Sequence, residues 1–204
     1  PAPSRVRDHF ATVARRRRDA WGLCTHAKND SGPSPDARSR IDGMSFAHQT
    51  LTGSKPEQYA QLADQARALL AGEPDRIANA ANLAALIYHA LPDFNWVGFY
   101  FFDGRELVVG PFQGLPACVR IPLDKGVCGA AARTRQTQRV DDVDAFPGHI
   151  ACDSASRSEL VVPLVKGDDL VGVLDLDSPR LARFDADDQA GMERIAAIFL
   201  DSLT

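Results

Sequence analysis

The sequence predicts an α+β fold: a mostly antiparallel central sheet of about six strands with helices packed on one face. Three observations carry the class. Apolar residues recur at helical spacing between residues 55 and 91, at strand spacing or in short buried runs between 96 and 177, and at helical spacing again after 185. The strand-like runs pair across tight turns, Asp103-Gly104 and Lys166-Gly167-Asp168-Asp169, which joins neighbours antiparallel. The order helix, helix, hairpin, strand, helix, strand, long loop, hairpin, helix suits a sheet with helices laid on it.

Taken in order, residues 1–43 read as a disordered leader. They contain ARRRRDA and SGPSPDARSR, rich in Arg, Ser, Pro and Asp, and Cys24 within them receives no role. An organelle presequence or a basic arm would also be Arg-rich, but five acidic residues count against a presequence. The folded domain is expected over 44–204. Ser54-Lys55-Pro56-Glu57 matches a capping box, and the helix it opens runs to about Leu70, stopped by Gly72. A second helix is expected from about Pro74 to His89. Ile77, Ala80, Ala84, Ile87 and Leu91 form its apolar stripe, and Pro92 ends it.

Trp96–Phe102 (WVGFYFF) reads as a buried strand and Glu106–Phe112 as its hairpin partner. Cys118–Leu123 reads as a third strand, Gly126–Arg135 as a short helix of small residues and Gln138–Asp141 as an edge strand. A long loop follows over 142–157. Glu159–Val165 and Leu170–Asp177 form the last hairpin, and an amphipathic helix starts near Asp185, using Ile195, Ile198 and Phe199.

Composition narrows the function. The chain has 204 residues, is 45% hydrophobic and 25% charged, and carries a net charge of −4, as an ordinary globular protein does. Residues 1–43 hold nine Lys/Arg against five Asp/Glu, whereas 44–204 hold 14 against 22. An acidic main body argues against nucleic acid as a partner. No apolar run approaches the roughly 18 residues that span a bilayer, so no membrane association is expected. Four cysteines without an export signal point to the cytoplasm, where persistent disulfides are rare and catalytic ones occur. No GxGxxG or GxxxxGK[ST] motif supports a nucleotide-phosphate loop.

Three cysteines lie within 35 residues: Cys118, Cys128 and Cys152. Structural zinc uses close ligand pairs such as CxxC; spacings of 10 and 24 do not supply one, and no metal is expected. Thiol chemistry remains, or chance burial of small apolar side chains. Asp175 and Asp177 alternate along the apolar run LVGVLDLDS, so both point to one face of a strand. Asp is depleted in strands, and two aimed at one region are expensive if buried. Trp96 and Tyr100, four apart, also share a face, as core or as pocket lining. Gly126 and Gly129 bracket Cys128, as close packing or as a turn. Arg120 is placed with Cys118 on the third strand, in reach of a substrate carboxylate.

The segments NWVGFY, GPFQGLPACVRIPLDKGVCG, QTQRVDDVDAFPGHIACDSASRSELVVPLV and GVLDLDS resemble the free methionine-(R)-sulfoxide reductases, a catalytic branch of the GAF-domain family. The resemblance covers about residues 50–203. It implies a GAF fold, usually dimeric, acting on the free amino acid methionine-(R)-sulfoxide, with thioredoxin as external reductant and no bound cofactor. By motif Cys152 matches the catalytic cysteine, Cys118 the resolving one and Cys128 a third that also enters disulfides. Glu159, Asp175 and Asp177 match carboxylates at the substrate, and Trp96 and Tyr100 match aromatic pocket residues.

The chemistry is consistent with those types. A thiolate attacks the sulfoxide sulfur while its oxygen is protonated, and His149, close to Cys152 in sequence, is a candidate helper. A second thiol, Cys118 or Cys128, then condenses with the sulfenic acid, and the disulfide is recycled. Clustered carboxylates cannot all stay ionised cheaply, so one is expected to hold a proton. Two other readings use the same residues: a non-catalytic GAF module that binds a small signalling ligand, and a thiol peroxidase or redox sensor.

Overall fold

The computed structural model describes residues 49–148 and 154–203. The expected leader, with Cys24, lies outside these residues. Helix α1 spans Lys55–Leu70 and α2 spans Arg76–Ala90. The Ser54 backbone N–H donates to Glu57 Oε2 at 2.7 Å, and Asp75 Oδ1 accepts from Ile77 N and Ala78 N at 2.9 and 2.8 Å, so each helix start is capped by its own first residues. The stripe on α2 differs from expectation at one position. Ile77 is 48% exposed, and the buried face runs through Asn79, Ala80, Leu83, Ala84, Leu86 and Ile87. At about 100° per residue Ile77 lies to one side of that face. Asn79 takes the inward place instead, its Nδ2 donating to Glu73 O and Ser202 Oγ.

The strands are β1 Trp96–Phe102, β2 Glu106–Gly114, β3 Arg120–Pro122, β4 Gln138–Val140, β5 Ser158–Lys166 and β6 Asp169–Ser178. They form one sheet in the order β3-β2-β1-β6-β5-β4, each ladder antiparallel. Helix α3, Gly126–Thr134, joins β3 to β4, and α4, Ala186–Ser202, closes the chain. The α+β class and the six-stranded antiparallel sheet are as the sequence predicts.

The three longer helices cover one face. Val97, Phe99, Phe101, Leu160, Leu174 and Leu176 meet Leu62, Leu83, Ile87, Ile195 and Phe199 there in one core. The short helix α3 lies on the other face, with Val127, Cys128 and Ala131 against Trp96, Tyr100, Val161 and Val173. Its small residues permit this: a Cβ at Gly129 would fall 2.7 Å from Pro122 O, so the helix rests directly on backbone. No helix among the described residues is long and apolar enough to cross a membrane.

One polar cluster ties α1 to α4. Asp188, fully buried, accepts from Tyr59 Oη at 2.8 Å, Arg183 Nη1 at 3.0 Å and Lys55 Nζ at 2.8 Å. Removing it strands a nearly buried guanidinium. Asp188→Ala is expected to lower unfolding free energy by about 3–5 kcal/mol. Urea denaturation checks it; an unchanged midpoint would contradict the account.

Candidate active site

The register of β5, β6 and β1 gathers the acidic side chains. Glu159 stands opposite Asp177, which stands opposite Trp96; Val161 stands opposite Asp175, which stands opposite Gly98. Cross-strand partners in an antiparallel ladder point to the same face, and residues two apart repeat it. Glu159, Asp175, Asp177, Trp96 and Tyr100 therefore share the face under α3. Glu159 and Asp175 are each only 6% exposed, and Asp177 is half-buried.

From α3, Cys128 reaches down to this cluster, its Sγ 3.9 Å from Glu159 Oε1. The Cys128 sulfur and one carboxylate oxygen each from Glu159 and Asp175 lie within 4.8 Å of one another. That is the one His/Cys/Asp/Glu group among the described residues spaced to surround a cation. Three mixed donors, one of them a thiol that burial keeps protonated, suit proton sharing better than the four-ligand set of structural zinc.

The electrostatics follow from burial. Desolvation, then the Asp175 and Asp177 charges, pushes the Glu159 carboxyl well above the usual range. Desolvation also raises Asp175, to about 6, against hydrogen bonds that favour its charged form. The two carboxyls share a proton at neutral pH rather than both ionising. Burial, followed by the Asp175 and Glu159 charges, raises the Cys128 thiol well above its ordinary value, so it stays a thiol.

The aromatic wall is built by a glycine and a bulge. Trp96 stacks between Tyr100 and Phe112, ring centroids 5.7 and 5.2 Å apart. A Cβ at Gly98 would fall 2.5 Å from Trp96 Cη2 and 2.4 Å from Phe112 Cβ, so the indole lies over bare backbone. On β2, Gly98 pairs with Phe112 while Tyr100 pairs with Val109, one residue more than regular pairing gives. The bulge puts both Phe112 and Val109 on the site face. Trp96 Nε1 and Asp175 Oδ1 are buried without a hydrogen-bond partner among the described residues. Buried polar atoms of native proteins nearly always have one, so both mark a place for a polar ligand or water.

Tyr100 links this wall to a cysteine. Its hydroxyl, kept protonated by burial and by the Asp175 charge, donates to Cys118 O at 3.1 Å. Cys118 is half-buried and disulfide-bonded, whereas Cys128 is a free thiol. Cys118 is not in a strand, contrary to expectation. Gly114 turns the chain at φ 128°, and Pro116 has no N–H for a ladder, so pairing resumes only at Arg120. Arg120 also lies elsewhere than expected. It is exposed and bonded to Asp103 Oδ2 and Glu106 Oε1 at 2.9 and 2.8 Å, which leaves it no part in the pocket.

Cys152 and His149 lie outside the described residues. The chain on either side is anchored at the site. Gly148 O accepts from Gly126 N, at the start of α3, at 3.1 Å, and Arg157 N donates to Ser178 O, at the end of β6, at 2.7 Å. Phe112 and Gly98 were not singled out from sequence. A glycine inside a buried aromatic strand was the available signal, since it marks a close approach. A separate open groove of about 540 Å³ between α4 and β5, lined by Thr137, Val162, Glu193 and Leu200 among others, contains none of these residues.

The GAF domain family matches residues 60–200. Free methionine-R-sulfoxide reductase of Escherichia coli is 50% identical over 144 residues, 71% of this chain and 87% of that protein. The X-ray structure of free methionine-R-sulfoxide reductase from Neisseria meningitidis, in complex with its substrate, superposes with a TM-score of 0.75 at 43% identity, covering 78% of this chain and 96% of that one. The crystal structure of a candidate GAF sensor protein from Burkholderia vietnamiensis is 67% identical, with a TM-score of 0.71, over 73% and 95% of the two chains.

Proposed function

Because the chain belongs to the GAF-domain family, on its free methionine-(R)-sulfoxide reductase branch, we propose that it reduces free L-methionine-(R)-sulfoxide to L-methionine through a cysteine thiol cycle. One observation carries the reading: proton-holding carboxyls and an aromatic slot share a sheet face, with a buried donor and a buried acceptor left open among the described residues. A sulfoxide needs those partners. Its oxygen accepts from Trp96 Nε1 or from a protonated carboxyl, its methyl group packs on Trp96 and Tyr100, and the ammonium of a free amino acid pairs with the ionised carboxylates, Asp177 among them.

The steps follow. The Cys152 thiolate attacks the sulfoxide sulfur as Glu159 or Asp175 passes a proton to the oxygen. The protonated oxygen then passes from the substrate sulfur to Cys152 as the substrate's S–O bond and the transient S–S bond break, so methionine departs and Cys152 is left as a sulfenic acid. The Cys118 thiol displaces that oxygen as water and forms a Cys152–Cys118 disulfide. Thioredoxin reduces it and returns both thiols. The cycle needs no bound cofactor or metal. We place it in the cytoplasm, where thiols are held reduced, with two copies of the chain per molecule.

The test is NADPH consumption coupled through thioredoxin and thioredoxin reductase, with free L-methionine-(R)-sulfoxide, its (S) epimer and a peptide-bound sulfoxide. Turnover on the free (R) form alone is expected. No turnover on any of the three with fully reduced protein would sink the reading and leave a ligand-binding GAF module in its place.

A further inference from the structure

Leu115 and Val119 are 63% and 64% exposed. Scattered exposed leucines need no account, but these two flank a disulfide-bonded cysteine within one five-residue segment. The segment is held in place. Val119 O accepts from Val109 N at 3.0 Å, and Cys118 O accepts from the Tyr100 hydroxyl at 3.1 Å. No charge occurs from Gln113 to Val119, and the next residue, Arg120, is neutralised by Asp103 and Glu106. A fixed, uncharged segment with two exposed apolar side chains thus flanks a half-buried, disulfide-bonded cysteine.

We propose that Leu115 and Val119 form the docking surface for a small dithiol protein of the thioredoxin class, which reduces the disulfide at Cys118. The proposal rests on the thiol-cycle reading above and names the partner surface of that cycle. Exchange requires the partner's thiolate to reach Sγ of Cys118, so two protein surfaces close around the sulfurs and dry the groups between them. Charged side chains would resist that drying, whereas apolar ones gain from it. The partner's thiolate bonds to Cys118 Sγ, the protein disulfide breaks, and the released cysteine thiolate takes up a proton. The partner's second thiolate then attacks the partner's own sulfur in the mixed disulfide and frees Cys118. Two electrons pass: the partner's dithiol becomes a disulfide, and the protein's disulfide becomes two thiols.

The test is the double variant L115S/V119S in the full chain. Its oxidised form is mixed with reduced thioredoxin in the absence of any sulfoxide, and its KM for thioredoxin is measured in coupled turnover. Thioredoxin KM is expected to rise about tenfold, with the sulfoxide-free reduction slowed to match. Turnover supported by dithiothreitol, which needs no docking surface, is expected to stay unchanged, as is the KM for sulfoxide. An unchanged thioredoxin KM overturns the proposal. An equal loss with dithiothreitol also overturns it, because the segment then shapes the pocket. A changed molecular mass in solution with unchanged thioredoxin KM overturns it as well, and assigns the patch to contact between copies. The single variants L115A and V119A, graded in the same direction, keep the test decisive if the double variant folds poorly. Wild-type protein that thioredoxin reduces but that never turns over sulfoxide would sink the reductase reading and leave the docking surface standing.

Discussion

Replacing Cys118 by Ser is expected to turn a steady-state catalyst into a protein that reduces one sulfoxide per site and stops with thioredoxin as reductant. The two candidate resolving thiols differ physically. Cys128 is buried against Glu159 and Asp175, and that burial and those charges hold its thiol protonated. A thiol is a poor nucleophile toward a sulfenic acid, since the thiolate does the attacking. Cys118 is half-buried, its backbone is fixed by Tyr100, and it is already disulfide-bonded while Cys128 is free. Cys118→Ser should therefore release one methionine per site in a burst and then accumulate a sulfenic acid, read by dimedone labelling and mass spectrometry. Cys128→Ser should keep multiple turnover. Cys152→Ser should give no burst at all. A Cys118→Ser protein that cycles with thioredoxin, beside a Cys128→Ser protein that does not, would reverse the assignment.

Much of this arrangement was legible in the sequence because strand period alone fixes it. Asp175 and Asp177 two apart, and Trp96 and Tyr100 four apart, share faces whatever the sheet order. That all four, with Glu159, share the same face depended on the pairing of β1 with β6, which sequence periodicity does not encode. Ile77 misled because its spacing to Ala80 and Ala84 is helical, while the buried face was set by Asn79 reaching Ser202 at the far end of α4. Cys118 misled because an apolar run read as a strand although Pro116 within the approach removes a ladder donor. The bulge that brings Phe112 beside Trp96 was invisible for a related reason: one extra residue on β2 changes no local propensity. The side of the sheet on which α3 lies is a matter of tertiary packing, in which Val127, Cys128 and Ala131 meet Trp96, Tyr100 and Val161 and Gly129 lets the helix approach the Pro122 carbonyl.

Glu159→Gln is expected to lower turnover by roughly 10²–10⁴-fold, the usual contribution of a positioned acid, while making the fold more stable at neutral pH. The two effects share one cause. Glu159 and Asp175 are buried side by side, and their folded-state pKa values lie above those of the unfolded chain, Asp175 at about 6. The native state therefore binds more protons than the unfolded state between the ordinary carboxylate range and these raised values, and stability falls as pH rises through that window. Below pH 4 both states are protonated and the full stability is present; above the raised values the loss is complete. The amide carries no charge to desolvate, so the variant should be more stable than wild type near pH 8, and that advantage should vanish as the pH is lowered below the ordinary carboxylate range. Urea unfolding at the two pH values reads this directly. The same proton explains the activity. A carboxyl protonated near neutrality can pass a proton to the sulfoxide oxygen, and wild-type turnover should fall on the alkaline side as that proton is lost. In Glu159→Gln the residual rate should lose that limb, while single-turnover attack by Cys152 remains measurable. A variant as active as wild type, or one no more stable at pH 8, would remove Glu159 from the proton-holding role.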